Sequence, residues 1–270
     1  MQFRKHAPPD DLRGFVRYFW LLESTDAAAT HTFTTLADGC PGLILQLSPD
    51  APLHGAGKPW PRSFVYGQTT RAGEIVGYGP FRALGVCFEP GALPAIFGLN
   101  AAELTNTCLD LTLLDAPRAS TLTDQLAEQP AGPDCFDQLA AFLRASAGRC
   151  PAPIDARVQE SLAQLVQSGG QMSLPALQAA VGLSERSLQR KFNHSVGISP
   201  QLFARICRFQ ASLAQLRAGH YAKFSDLAFE QEYADQSHHI RAFQEFAGAS
   251  PQQVRQRAQP GLPKFPELLR

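Results

Sequence analysis

Two groups of side chains in the C-terminal half have the chemistry to read a base sequence. Arg186, Ser187, Gln189, Arg190 and Asn193 form the first, and Gln236, Ser237, His238 and Arg241 the second. Arg pairs with guanine in the DNA major groove, Gln and Asn pair with adenine, and Ser bonds to several groups. On a helix beginning at Glu185, Leu188 and Phe192 lie four residues apart on the inner face, so the five polar residues of the first group project outward. In the second group Phe243 and Phe246 face inward and the four polar residues again point out. Any solvated helix has a polar face, so one such group alone would carry little weight.

The groups sit in two copies of one pattern. Leu188-Gln189-Arg190-Lys191-Phe192, with Gly197 and Ser199-Pro200 behind it, returns 51 residues later as His239-Ile240-Arg241-Ala242-Phe243 with Gly248 and Ser250-Pro251. A short apolar segment precedes each copy, at 174–181 and 224–229, and leads into it through a turn. Helix, turn and second helix is the order that lays a recognition helix in a major groove. Ser184 and Asp235 are suitable N-caps, and Gly182 can take the positive φ that the first turn needs. Between the copies, an apolar stripe of Leu202, Phe203, Ile206, Phe209, Leu213 and Leu216 predicts a long helix over about 201–217. It would span about 25 Å, and with its flanking turns it would bring successive major grooves, about 34 Å apart, within reach. Further helices are predicted at 156–167, stopped by Gly169-Gly170, and from Ser250-Pro251 onward, for seven in all.

The first 115 residues have a different texture. Short apolar runs at 33–36, 42–47, 63–66 and 83–88 are bounded by Gly and Pro, which predicts strands of a sandwich or barrel. From 119 to 147 the pattern turns helical, broken at 129–133, and Cys150-Pro151-Ala152-Pro153 reads as a linker. The expected fold is therefore α+β and multidomain. A β-rich sensing or dimerisation domain with C-terminal helices fills 1–150, a double helix-turn-helix domain fills 154–258, and a Pro-containing tail covers 259–270.

The formal net charge is zero, yet residues 1–152 hold 11 Lys+Arg against 15 Asp+Glu (−4) and residues 153–270 hold 13 against 9 (+4). The modest positive excess thus lies in the half that carries the repeat, as phosphate binding requires. The six cysteines are scattered, without a C-x-x-C pair or zinc-type spacing, which suits buried thiols in a reducing cytosol. The N-terminus lacks the pattern of a signal peptide, and no apolar run reaches a membrane-spanning length, so a cytoplasmic protein is expected.

Residues 154–257 resemble the DNA-binding domain of the AraC/XylS family of bacterial transcription regulators. The resemblance is carried by Phe224-Ser225-Asp226-Leu227-Ala228, Tyr233-Ala234-Asp235-Gln236-Ser237-His238, Arg241-Ala242-Phe243 and Gly248-Ala249-Ser250-Pro251. It implies base or phosphate contacts by Arg186, Gln189 and Arg190 in the first reader and by Gln236, Ser237, His238 and Arg241 in the second. Two residues depart from the family pattern: Glu232 stands where Gly is usual, and His239 takes an inner-face position usually aromatic or aliphatic. Glu232 near phosphate would weaken the second reader. His239 reads as a core histidine bonded to a backbone carbonyl rather than a metal ligand, because its neighbour His238 points about 100° away.

Within 1–115, Val16-Arg17-Tyr18-Phe19-Trp20 and Leu36-Ala37-Asp38-Gly39-Cys40 are similar to the N-terminal regions of some members, whose variable half usually senses a ligand or dimerises on a cupin-like barrel. The implied partners are double-stranded operator or promoter DNA, a small-molecule effector, a second copy of the chain and, for an activator, RNA polymerase. No cofactor, metal or membrane is implied. Trp20, His31, Phe33, Tyr66, Tyr78 and Arg82 have the chemistry to line a pocket, but none is assigned to a ligand.

Two other readings stay open. A cupin-type metal enzyme would want a close His-x-His pair, whereas His6, His31 and His54 are widely spaced, and no hydrolase or phosphate-loop motif occurs. No enzyme is therefore expected. A redox sensor acting through Cys40 or Cys87 could also be joined to the same DNA module.

Overall fold

The computed structural model describes residues 1–27, 29–130, 132–149, 154–219, 221, 224–231, 233 and 235–257. The linker 150–153, Glu232 and the tail 259–270 lie outside them.

The N-terminal half is built on two antiparallel sheets. Six strands, β1 (Gln2–His6), β2 (Val16–Ser24), β4 (Gly42–Gln46), β7 (Ser63–Tyr66), β9 (Phe81–Phe88) and β10 (Cys108–Asp110), pair in the order β1-β2-β9-β4-β7-β10. The remaining four, β3 (Thr30–Thr35), β5 (His54–Gly55), β6 (Lys58–Pro59) and β8 (Gly73–Tyr78), pair in the order β3-β8-β5-β6.

Side chains of a strand alternate between faces, and the larger sheet buries both. Phe19, Leu21, Leu43, Leu45, Val65, Leu84 and Val86 share one core with α1 (Ala92–Phe97), α2 (Thr112–Glu128) and α3 (Pro133–Ala147). The alternate residues Tyr18, Trp20, Leu22, Ile44, Phe64 and Ala83 belong to a second core with Phe33 and Ile75 of the smaller sheet. Burial on both sides explains why β2 and β4 read as continuous apolar runs without a polar alternation.

Helix enters the N-terminal half earlier than expected. α1 lies inside the stretch read as β, and α2 begins at Thr112 rather than near 119. Asp115 departs from helical geometry there (φ −159°, ψ 78°), so Pro117 stands near the start of a fresh helical run, where its missing N–H costs nothing. Arg82 closes the other end of α2, donating to the carbonyls of Leu126 (2.9 Å), Ala127 (2.7 Å) and Gln129 (2.8 Å). A guanidinium suits the negative end of a helix dipole, so this side chain serves the fold and not a pocket.

The C-terminal half is helical: α4 (Ala156–Gln167), α5 (Leu174–Val181), α6 (Glu185–Val196), α7 (Pro200–Ala218), α8 (Phe224–Glu230), α9 (Gln236–Ala247) and α10 (Pro251–Arg257). Its core contains Leu177, Leu188, Phe192, Phe203, Phe209, Phe243 and Phe246, and it belongs to the same apolar cluster as the inter-sheet core. The two halves are packed directly against each other.

Candidate nucleic-acid interface

Each recognition helix is started by a side chain and held by an aromatic anchor. Ser184 accepts from the Ser187 amide at 3.4 Å to open α6, and the preceding turn passes through Gly182 at φ +62°. Asp235 accepts from the His238 amide at 2.7 Å to open α9. Leu188 and Phe192 bury the inner face of α6, and Phe243 and Phe246 that of α9, each anchor contributing about 1.5–3 kcal/mol. Phe192 packs edge-on against Phe203, and Phe209 against Phe243, so the single helix α7 carries both readers. With 19 residues it is about 28 Å long.

The outward faces remain accessible. Arg186, Gln189, Arg190, Asn193, Gln236, Ser237 and Arg241 are exposed, and Ser187 and His238 are half-buried. Gln189 leans on Glu185 at 3.1 Å, and Ser187 shares its hydroxyl with Ser184 at 3.1 Å. Lys191 points sideways and pairs with Asp155, the cap of α4.

His239 is fully buried, but its partner differs from the expected backbone carbonyl. Its Nε2 meets the Ser212 hydroxyl at 2.7 Å, between the rings of Tyr233 and Phe243. Burial pushes its pKa down to about 4, so the imidazole is neutral in the folded protein.

The N-terminal half grips both recognition helices at their C-terminal ends. The Thr105 hydroxyl donates to the carbonyl of Gly197, which follows α6, at 2.6 Å. A Cβ at Gly197 would meet the Ala101 carbonyl at 2.7 Å, so only glycine allows that approach. On α9, the amide of Ala37 donates to the Phe246 carbonyl (3.0 Å) and that of Ala72 to the Glu245 carbonyl (3.3 Å). Gln210 of α7 donates to the Ala37 carbonyl at 2.6 Å. These contacts leave the N-terminal turns, which carry the first polar residues of each reader, to face outward.

A cavity of about 760 Å³ lies between the two sheets. Trp20, Tyr66 and Tyr78 line it, as do Asp38, Trp60, Phe64 and Ile75, which sequence reasoning passed over. His31, Phe33 and Arg82 stand outside it; His31 bonds the Ser24 hydroxyl at 2.7 Å and Phe33 sits in the inter-sheet core. Both indoles rest on glycines. A Cβ at Gly85, directly across from Trp20 in the β2–β9 pairing, would lie 2.1 Å from its ring, and one at Gly55 would lie 2.5 Å from Trp60.

Cysteines that are scattered in sequence converge here. Arg17 donates to Cys40 Sγ at 3.3 Å, and the free thiols of Cys87 and of Cys207 from α7 lie near that of Cys40. Burial pushes the Cys87 thiol well up and that of Cys207 up to about 12, which leaves both poorly nucleophilic. Among the described residues, no group of three or more His, Cys, Asp or Glu could hold a metal ion, and no helix is long and apolar enough to cross a membrane.

Residues 177–257 match the model of a helix-turn-helix domain family, over the segment that holds both readers. The C-terminal domain is an AraC-type helix-turn-helix domain. It makes the chain a DNA-binding transcription regulator. Ahead of the AraC-type domain, residues 4–110 match a domain of unknown function (DUF6597). No curated protein sequence matches the chain. Among solved structures, ToxT from Vibrio cholerae is similar at 12% identity and TM-score 0.46, over 94% of this chain and 96% of that one. ToxT bound to (E)-4-(8-methylnaphthalen-1-yl)but-3-enoic acid aligns at 11% and 0.46, over 94% and 98%. The AraC-like transcriptional activator CuxR aligns at 15% and 0.29, over 79% and 86%.

Proposed function

We propose that the protein is a one-component regulator in which a small molecule held between the sheets controls how the two recognition helices meet DNA. Arg186, Ser187, Gln189, Arg190 and Asn193 make the contacts of the first reader, and Gln236, Ser237, His238 and Arg241 those of the second. Binding energy comes mostly from phosphates, and a few side chains read the bases. The family resemblance extends the proposal to a homodimer, to RNA polymerase for an activator, and to a cytoplasmic location.

The observation that carries the effector part is a shared wall. Leu36, Asp38 and Ala72 line the cavity, while the amides of Ala37 and Ala72 hold the end of α9. A ligand that moves this wall therefore moves α9, and one that fits a single arrangement of the wall biases DNA affinity by its preference for that arrangement. Selecting sites from random duplex DNA with the full chain tests the DNA part. Enrichment of two sequence blocks about one helical turn apart is expected, and no enrichment at low salt would overturn the reading.

A further inference from the structure

We propose that the cavity between the sheets takes a small organic cation, an ammonium group carried on an apolar or aromatic body, with Asp38 as its counter-charge. This rests on the reading of that cavity as the effector site and names the ligand class it selects.

The charge distribution of the lining is lopsided with depth. Arg71 and Glu74 are exposed to solvent, whereas Asp38 is only 7% exposed. Its Oδ1 accepts from the Cys40 amide at 3.0 Å. The neighbouring cation Arg17 attracts it but is shared with Cys40 Sγ at 3.3 Å and Glu89 at 3.8 Å. A carboxylate this buried is expensive to ionise, and either a proton or a matched cation relieves it.

The walls favour the cation. Trp20, Trp60, Phe64 and Tyr66 present aromatic rings to the same space, and a ring face attracts positive charge, most strongly when the site is shielded from water. An anion placed there would meet both the ring faces and Asp38. A neutral ligand would fill the space and add no charge to offset the buried carboxylate. At about 760 Å³ the cavity falls within the usual range for a drug-sized molecule.

Both tryptophans of the chain line the cavity, so their emission reports occupancy directly in the full-length protein. Phenethylammonium, phenethyl alcohol and phenylacetate share a ring and differ in charge. Titration of each should show saturable change with the ammonium at least about tenfold tighter than the alcohol, and phenylacetate weakest. Asp38→Asn should remove that preference while the alcohol binds as before. In case the variant does not fold, the wild-type protein offers a second measure: ammonium affinity should fall from pH 8 to pH 6 while alcohol affinity holds. That titration is repeated on His54→Gln, since this imidazole lines the same cavity. Phenylacetate or the alcohol binding as tightly as the ammonium would overturn the cation inference alone. Failure of all three probes would overturn the effector reading with it.

Discussion

The backbone amide of Ala37 donates to the carbonyl of Phe246 at 3.0 Å, tying the N-terminal half to the end of the second recognition helix. The carbonyl of the same residue accepts from Gln210 at 2.6 Å, so one residue of the N-terminal half clasps both α9 and α7. Gln210→Ala leaves that buried carbonyl without its donor and should destabilise the protein by on the order of 2 kcal/mol. Urea unfolding followed by tryptophan emission measures it, and an unchanged midpoint would contradict the clasp.

The two readers should not contribute equally. α6 offers two exposed arginines, Arg186 and Arg190, where α9 offers Arg241 beside neutral Gln236 and Ser237. Alanine at Arg190 is expected to cost about 1–3 kcal/mol of operator affinity, and alanine at Arg241 less. Fluorescence anisotropy on the selected duplex compares them directly; a larger loss at Arg241 would reverse the ranking.

Acid should weaken the protein through His239. Its folded pKa of about 4 lies below the ordinary 6.5, so the unfolded chain binds the proton more readily. The stability it contributes is complete above pH 6.5 and is lost as pH falls toward 4, by on the order of 2–3 kcal/mol. Thermal melts of wild type and His239→Leu between pH 7.5 and 4.5 should show the wild-type Tm falling more steeply. Parallel slopes would mean that the buried ring does not govern the effect.

Asp38 should act in the opposite sense. Burial pushes its pKa up to about 7 even though Arg17 faces it together with Tyr18, Tyr66, Cys40 and Cys87. Its ionisation therefore opposes folding, and stability falls as pH rises from about 4 through 7. Asp38→Asn keeps the shape and removes the charge, so in the absence of ligand the variant should melt higher than wild type at pH 8 and near it at pH 5. A lower Tm at pH 8 would show that the carboxylate is compensated after all.

Legibility in the sequence followed where the chain announces its own ends. α4, α5 and α6 run over the predicted residues because Ser173, Ser184 and Asp155 cap them visibly and Gly182 and Gly197 stop them. The nine side chains expected on the outer faces are all exposed or half-buried, for the same reason of helical period. The N-terminal half was harder. β2 is buried on both sides and has no alternation to betray it, and β8 begins in glycine and has Gly77 in its interior. Asp38 sits in Leu-Ala-Asp-Gly-Cys, between two strands, where no spacing marks it, and only the folded arrangement reveals that it lines a cavity. Cys40, Cys87 and Cys207 lie far apart in the chain, so spacing could not disclose their meeting, nor that His239 would find the Ser212 hydroxyl.

Gly85 lies flat beneath the Trp20 indole, where a methyl carbon would come within 2.1 Å of the ring. The depth of the chamber is thus set by a single hydrogen on the neighbouring strand. Alanine at that position would tip the indole off its seat and into the cavity between the sheets, shrinking the room without touching any polar contact. One nucleotide change can therefore resize this chamber while leaving the two recognition helices untouched, a route by which chains on this scaffold can diverge in what they admit.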